Sequence, residues 1–399
     1  MDLSRLSDLA RAGEPGGWGF GRLHDVGPVE GALASLAEGR AAMAARAADP
    51  GAILEDPACR AHLAARMAAA CGAGTVEIAP GARLAGGAIH DHFAFRARMD
   101  GEGPDDWVLR LPADPEFRIG HAPETERALA SAAAERGVPV AEPLLAEGLG
   151  TPLERPYLVM RRVNGTADPS VLTALEGLAG DMLAEAAGAS LARLHRIRPA
   201  DGAMADLPAP AADPALARIG ELRATLDAMA EAQPALEWGL RWLERHAPPP
   251  APIVLTHGDF RTGNLMVERG EGGTPRLSAV LDWEFAGWSD GHEDIGWLTA
   301  LCWRFERRDR PVGGFGDLAA FARGYAAVGG APIDPDRLAF WQTYALIRWA
   351  LIALRQGRRF REAEPATLDC GLTSWRLPEL TLEILARTAP DGNAGKAPS

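Results

Sequence analysis

The alternation of apolar and polar positions changes character twice along the chain. Residues 1–72 read as loop and alanine-rich helix, with helices expected over 31–48 and 57–71. From Thr75 the period shortens to two. Val76 and Ile78 open a first strand, and Gly81, Gly86 and Gly87 mark a turn region after it. Phe93, Phe95 and Ala97 alternate with polar or small neighbours as a second strand, and 107–111 is a short apolar third. A helix over 123–136 follows. Gly137-Val-Pro-Val140 then opens a further strand region, which ends in 157–163. Three strands, a helix and two more strands predict a compact sheet-plus-helix unit of the mixed α+β kind.

After Asn164 and Gly165 the period lengthens again. Segments 181–197, 213–231 and 234–246 carry apolar residues at helical spacing, and the proline run at 248–252 stops the last of them. Three short strands are expected at 253–256, 265–267 and 277–281. The stretch 293–388 is helical with loops, and the small polar residues beyond it predict a disordered tail. The chain therefore divides into an extension (1–72), a first unit (73–163), a second unit (164–388) and a tail (389–399).

Composition narrows the classes. With 47% hydrophobic and 24% charged residues over 399 positions, disorder of the whole chain is excluded. Basic residues number 41 against 54 acidic, a net charge of -13, and such a surface repels phosphate backbones and anionic lipid. Neither nucleic acid nor membrane is an expected partner. Lys396 is the only lysine, so no mechanism here rests on a buried one. Cys59, Cys71, Cys302 and Cys370 are scattered without CxxC spacing, which argues against a disulfide scaffold or structural zinc and fits a reducing cytoplasm. Asp2, Arg5 and Asp8 stand where a signal peptide needs an apolar run, and no uninterrupted apolar stretch is long enough to span a membrane. The expectation is a cytoplasmic enzyme.

One stretch carries chemistry. The run HGDFRTGN, His257 to Asn264, lies between two expected strands. The turn signal at 271–273 makes 265–267 and 277–281 a hairpin, with Asn264 and Asp282 at its open ends, equally far from Gly273. An amide oxygen and a carboxylate side by side, with a second carboxylate on the loop leading in, suit Mg²⁺-assisted phosphoryl transfer, because magnesium prefers hard oxygen ligands. Asp259 is then the base that accepts a proton from an attacking hydroxyl, and Asn264 and Asp282 are the metal ligands. The plainer alternative makes Asp259 a turn cap, Asn264 a strand end and Asp282 a surface acid.

HGDFRTGN together with Val280-Leu-Asp-Trp-Glu284 resembles the catalytic loop and metal-binding strand of the aminoglycoside phosphotransferases and their choline-kinase-like relatives. The likeness covers residues 76–385 and includes Leu191-Ala-Arg-Leu-His195 and the segment from Asp290 to Trp297. It is similar in wording to the kinase domain fused to some acyl-CoA dehydrogenases. The resemblance implies a bilobal, protein-kinase-like α+β fold: a small antiparallel-sheet N-lobe, a larger helical C-lobe, and here a helical N-terminal extension. It implies ATP and Mg²⁺ as cofactors and a small-molecule hydroxyl as acceptor. Gly86 and Gly87 fall where the family's glycine turn covers the phosphates. Arg110 occupies the strand that offers a cation to them, a role lysine commonly fills in kinases, and arginine can hold phosphate oxygens bidentately. Its helix partner is Glu126, with Glu124 in reserve. Backbone groups near Met160 and Arg162 would bind adenine. His257 joins Asp259 in the catalytic loop, more as its orienter than as a proton carrier.

Other residues invite weighing. His195 and His292 read as structural, and Trp283, Trp288, Trp297 and Trp303 as mostly core, with Trp283 or Trp288 candidates for the cleft wall. Two arginine groups, Arg304, Arg307, Arg308 and Arg310, then Arg355, Arg358, Arg359 and Arg361, are either solvated faces or an attraction for an anionic acceptor such as a hydroxyacyl-CoA. Two alternatives remain: an antibiotic kinase, which would want an acidic acceptor pocket, and a nucleotide-binding pseudokinase without turnover. Arg110 in place of lysine favours the pseudokinase; the intact Asp259, Asn264 and Asp282 oppose it. No P-loop, dinucleotide fingerprint or nucleophile elbow is present.

Overall fold

The computed structural model describes residues 52–84, 90–112, 120–149, 151–153, 155–201, 204, 207–229, 231–361 and 368–389. The helix expected over 31–48, Gly86, Gly87 and most of the tail lie outside the described residues.

In chain order the first lobe runs α1 (Ala52–Glu55), α2 (Pro57–Cys71), β1 (Val76–Ile78), β2 (Ala82–Arg83), β3 (His90–Met99), β4 (Asp105–Pro112), α3 (Pro123–Glu135), β5 (Pro143–Glu147) and β6 (Tyr157–Arg161). The strands form one antiparallel sheet in the order β1-β3-β4-β6-β5, with β2 against β3. Strand β4 read as a continuous apolar run because both of its faces are covered. Trp107, Leu109 and Leu111 pack with Phe93, Phe95 and Tyr157 against Leu63 and Met67 of α2. Val108 and Arg110, pointing the other way, line the cleft.

Helix α2 thus backs the sheet. Asp56 caps it by accepting from the Ala58 amide at 2.9 Å, Pro57 fits its first turn, and Gly72 ends it with φ of 67°. Full burial of Leu63 and Met67 contributes about 1.5–3 kcal/mol each. Its polar side is tied down as well: Glu147 accepts from the Tyr157 hydroxyl at 2.6 Å and pairs with His62 at 2.9 Å.

Between α3 and β5, the strand expected to open at Gly137 does not form. Gly137 turns with φ of 80°, and Val140 makes only an isolated parallel bridge with Val280. Pro139 has no N–H to extend a ladder, but its carbonyl accepts from the Val280 amide at 2.8 Å. The strand begins three residues later, at Pro143.

The second lobe contains α4 (Pro169–Leu172), α5 (Gly177–Leu194), α6 (Pro214–Asp227), α7 (Pro234–His246), β7 (Ile253–Thr256), β8 (Leu265–Arg269), β9 (Pro275–Val280), β10 (Gly287–Asp290), α8 (His292–Thr299), α9 (Leu318–Ala327), α10 (Pro335–Arg361), α11 (Leu368–Thr373) and α12 (Leu377–Thr388). Helices α5 and α9 lie close because Gly188 and Gly324 carry no Cβ; one at Gly324 would collide with the backbone of Glu185. Long α10 anchors a second core through Trp341, Ile347 and Leu351. The fold is a bilobal α+β architecture. Among the described residues, no helix is long and apolar enough to cross a membrane.

The β8–β9 hairpin differs from its expected register. Leu265 pairs with Val280 and Met266 with Ala279, but Val267 pairs with Leu277, so Ser278 is one residue extra. The turn is centred on Gly272 rather than Gly273, which shifts the pairing by two positions, and the bulge restores one of them. Asn264 therefore faces Leu281, whose amide it accepts at 2.8 Å, and Asp282 lies just beyond the ladder.

Candidate active site

The loop from His257 to Asn264 leaves β7 through a turn only glycine can make. Gly258 has φ of 75°, and a Cβ there would strike the carbonyl of Phe285. Its shape is set from below by Asp294 of α8, which is fully buried. One Asp294 oxygen accepts from the His257 amide at 2.7 Å and the other from the Gly258 amide at 2.9 Å. His195 pairs with the same carboxylate at 3.2 Å, and its other ring nitrogen meets the Tyr325 hydroxyl at 2.8 Å. Burial alone would raise the Asp294 pKa, but the His195 interaction and the backbone donors outweigh it and hold it below the usual range. His195 is thus part of the loop's foundation. His292 is structural too, linking Asp290 to the amide of Asp334.

His257 has no nitrogen left for substrate. Its Nε2 lies 2.9 Å from the Leu281 carbonyl and so carries the proton, while Nδ1 accepts from the Asp259 amide at 3.2 Å. Burial lowers its pKa and keeps the ring neutral. It positions Asp259; the expectation that groups it with the catalytic residues is corrected to that.

Asp259 is reached from three sides. Trp297 donates to one oxygen at 2.7 Å, Asn264 to the other at 2.8 Å, and Arg261 Nε lies 3.1 and 3.2 Å from the two. These three residues make four hydrogen bonds to two oxygens that offer about four lone-pair sites, so an incoming hydroxyl would take the place of one of the two Arg261 contacts. Asn264 also donates to the Asp259 carbonyl at 3.0 Å, which engages its amide nitrogen and leaves its oxygen for another partner. Asp282 adopts φ of 61° as the chain leaves β9. Burial works against its charge, but Arg110, His92, His90 and Arg261 together lower its pKa. An ionised carboxylate and an amide oxygen suit a hard divalent cation. Among the described residues, no cluster of three or more His, Cys, Asp or Glu side chains could hold a metal without other ligands. A cation here would draw on nucleotide phosphates and water.

Asp282 borders a cavity of about 680 Å³ between the lobes, lined also by His92, Val108, Arg110, Met160 and Arg162. Arg110 is buried at its inner end. It pairs with Glu126 of α3, lies 3.7 Å from Glu284, and its Nη2 is 3.0 Å from His90. Burial disfavours its charge, but Glu126, Asp282 and Glu284 more than restore it. Glu284 fares worse: burial pushes its pKa up to about 8, and its Oε2 has no hydrogen-bond partner among the described residues. Glu124 lines a different cleft, on the outer side of Arg110. At the hinge, the Arg162 amide is engaged by the Asp106 carbonyl at 3.0 Å. That amide is not open to adenine, and the neighbouring groups of Arg162 and Val163 take its place as candidates.

The arginine groups singled out from the sequence do not border Asp259. Arg304 is buried against the Thr299 carbonyl, Arg307 donates to the Thr173 carbonyl, and Arg310 pairs with Asp181. In the second group Arg359 meets Gln356 and Arg361 pairs with Glu231. Two other arginines flank the base: Arg261 in the loop itself, and Arg348 of α10, which donates to the Gly258 carbonyl at 2.7 Å. Arg348 had a signal, a lone charge inside the apolar run 344–354. His92, directly across the sheet from Arg110, shares its face.

A family model described as the phosphotransferase enzyme family matches residues 81–341. Among curated proteins, mouse acyl-CoA dehydrogenase family member 10 is 29% identical over 195 residues, 48% of this chain but only 18% of that protein. The fold is similar to that of a protein assigned as an aminoglycoside phosphotransferase from Ralstonia eutropha JMP134, with TM-score 0.58 and 22% identity over 78% of this chain and 93% of that one. It is also similar to an aminoglycoside phosphotransferase of the 2″ class in complex with GDP and kanamycin, with TM-score 0.52 and 17% identity over 81% and 99% of the two chains. Spectinomycin phosphotransferase bound to ADP and spectinomycin matches at TM-score 0.52 and 13% identity, over 79% and 93%.

Proposed function

Because the chain belongs to the phosphotransferase enzyme family, and with it to the small-molecule kinases, we propose that it transfers the γ-phosphoryl group of ATP to a hydroxyl of a small molecule, with Mg²⁺ accompanying the nucleotide. One convergence supports this: Asp259, Asn264 and Asp282 meet on a single loop and hairpin, beside the cavity that also holds Arg110. Asp259 accepts the hydroxyl proton as the acceptor oxygen attacks. Arg110, oriented by Glu126, holds phosphate oxygens from the inner end of the cavity. Asn264 and Asp282 would hold Mg²⁺, which when bound neutralises charge on the phosphate oxygens. His257 keeps Asp259 in place, and the hinge at Arg162 and Val163 offers backbone to the adenine.

The partial likeness to an acyl-CoA dehydrogenase family member makes a hydroxylated acyl thioester the first acceptor to assay. A cytoplasmic setting goes with the nucleotide and with the free thiols Cys71 and Cys302. The test is ADP release from ATP and Mg²⁺, with and without candidate acceptors. Asp259→Asn should lose about 10²–10⁴-fold in rate while still binding nucleotide. Wild-type protein that binds ATP but never releases ADP, by transfer or hydrolysis, would be a regulatory module, and the kinase reading would fall.

A further inference from the structure

Asp259 has two sides. Asp282, just beyond the ladder that Leu265 opens, lines the nucleotide cavity, whereas Arg261, Trp297 and Arg348 do not. An acceptor reaching the base from beyond the nucleotide therefore meets these three. Asp259 is only 13% exposed, so the approach is narrow.

The floor of this approach is aromatic. Trp297 and Trp303 lie edge to face at 5.3 Å, and half-buried Trp349 leans on Trp303 at 4.6 Å. Trp297 and Trp303 are themselves buried, and guanidinium groups cover them. Arg348 lies over Trp297 at 4.4 Å and Arg261 over Trp303 at 4.5 Å. What faces an acceptor is thus the edge of two planar cations rather than indole.

Arg261 is paired with Asp259 at 3.1 Å, and Arg348 is the one of the two without a counter-charge among the described residues. Arg348 donates to the Gly258 carbonyl, and no carboxylate stands within ion-pair distance of it among the described residues. Arg261 shares Asp259 with the other donors and turns Nη1 to the Thr262 carbonyl at 3.1 Å. Behind them, the charges of Arg376, Arg261 and Arg304 all act on buried Cys302, and among the described residues Arg304 is hydrogen-bonded to backbone carbonyls alone, with the Glu383 charge acting on it. A guanidinium stacked on an indole, with N–H groups still free, matches a carboxylate or phosphate in shape and charge. A polycation would meet repulsion from the same groups.

We propose that Arg348 and Arg261 form an anion-reading subsite beside the catalytic base, and that the acceptor carries a carboxylate or phosphate close to the hydroxyl that is phosphorylated. This rests on the kinase reading above. It replaces the two arginine groups expected from the sequence with two different residues, and it fixes where the anionic group must sit relative to the hydroxyl.

The experiment compares matched acceptors that differ only in charge: glycerol 3-phosphate with glycerol, and 3-hydroxybutyrate with 3-hydroxybutyramide, with kanamycin as a cationic arm. ADP release is measured, and in parallel calorimetric binding with a non-hydrolysable ATP analogue and Mg²⁺. The two anions distinguish phosphate from carboxylate. The anionic member should be preferred by about tenfold or more, the scale of one charge-assisted hydrogen bond. Arg348→Gln should lower that anion-to-neutral ratio about tenfold, and Arg348→Lys, which keeps the charge but loses the planar fork, should retain part of it. A ratio unchanged in Arg348→Gln, with both members depressed alike, would show that Arg348 only braces the loop through Gly258, and would overturn the proposal. So would preference for the neutral members or kanamycin, or no anion binding while Asp259-dependent ATP hydrolysis persists. If ATP is neither bound nor hydrolysed, the kinase reading fails instead, and the anion comparison run without nucleotide still decides this one.

Discussion

The catalytic loop and the inner end of the nucleotide cavity are neighbours built on opposite electrostatic plans. In the loop every strong group has its partner. Asp294 receives two amides and a histidine, His257 uses both ring nitrogens, and Thr262 donates to the Gly313 carbonyl at 2.7 Å. Around Arg110 the balance is short. Glu126, Glu284 and Asp282 share one guanidinium, and Arg110 Nε and Glu284 Oε2 are buried without a hydrogen-bond partner among the described residues. The loop holds atoms that must keep their positions while a proton moves, and its geometry is complete in advance. Three carboxylates beside one guanidinium leave the cavity end with an excess of negative charge, which a cation arriving there would offset.

The largest effect should come from breaking the complete side. Asp294→Asn removes an ionised acceptor from beneath two buried amides, and we expect a loss of about 3 kcal/mol or more, read from the urea midpoint. The sign with pH follows from the depressed native pKa. The stabilisation is present above the unfolded carboxylate value near pH 4 and is lost as pH falls through the native value. The variant should therefore show a flatter acid limb. A midpoint equal to wild type at neutral pH would mean the loop holds its shape without Asp294.

A smaller effect of opposite sign is expected on the incomplete side. With Glu284 raised to about 8, the native state keeps a proton that the unfolded state releases near pH 4. This group therefore makes stability decline as pH rises from about 4 to about 8. Glu284→Gln should remove that decline and leave the protein as stable as wild type near pH 4, and more stable by about 1 kcal/mol or more at pH 8. Thermal melts across that range check it, and a steeper decline in the variant would show that Glu284 is held ionised after all. The smallest effect sets a baseline away from both regions. Arg310→Ala breaks a partly exposed pair with Asp181, and should cost less than about 1 kcal/mol while leaving the acceptor KM unchanged. A raised KM would return the Arg304–Arg310 group to the acceptor site.

The legibility of the sequence followed the same division. The loop motif, the hairpin and most element positions were readable because their signals are local: a turn dipeptide, a proline stop, a period of two or 3.6. Asp294, Trp297 and Arg348 come to Asp259 and its loop from 35 to 90 residues away in sequence, and only folding brings them there. Arginine density along the chain does not point to the residues beside Asp259 for the same reason. The paired residues 304–310 were conspicuous as a run, whereas Arg348 was a single charge in a helix. The extra residue in β9 was hidden because Ser278 suits an alternating strand as well as a bulge. Glu284 was visible in its motif, but its burial was not.

The lone bridge between Val140 and Val280 has a mechanical consequence. It is one rung, backed by the Pro139 carbonyl, and proline cannot supply a second donor beside it. A full ladder would weld the α3–β5 segment of the first lobe to the end of β9; a single rung would leave it free to turn like an axle. Rotation of the first lobe about it would swing the far edge of the sheet through the widest arc, while Leu281 and Asp282, next to the axle, would scarcely move. Opening and shutting the cleft would then leave the phosphoryl-transfer end in alignment and vary mainly the distance to the outer strands.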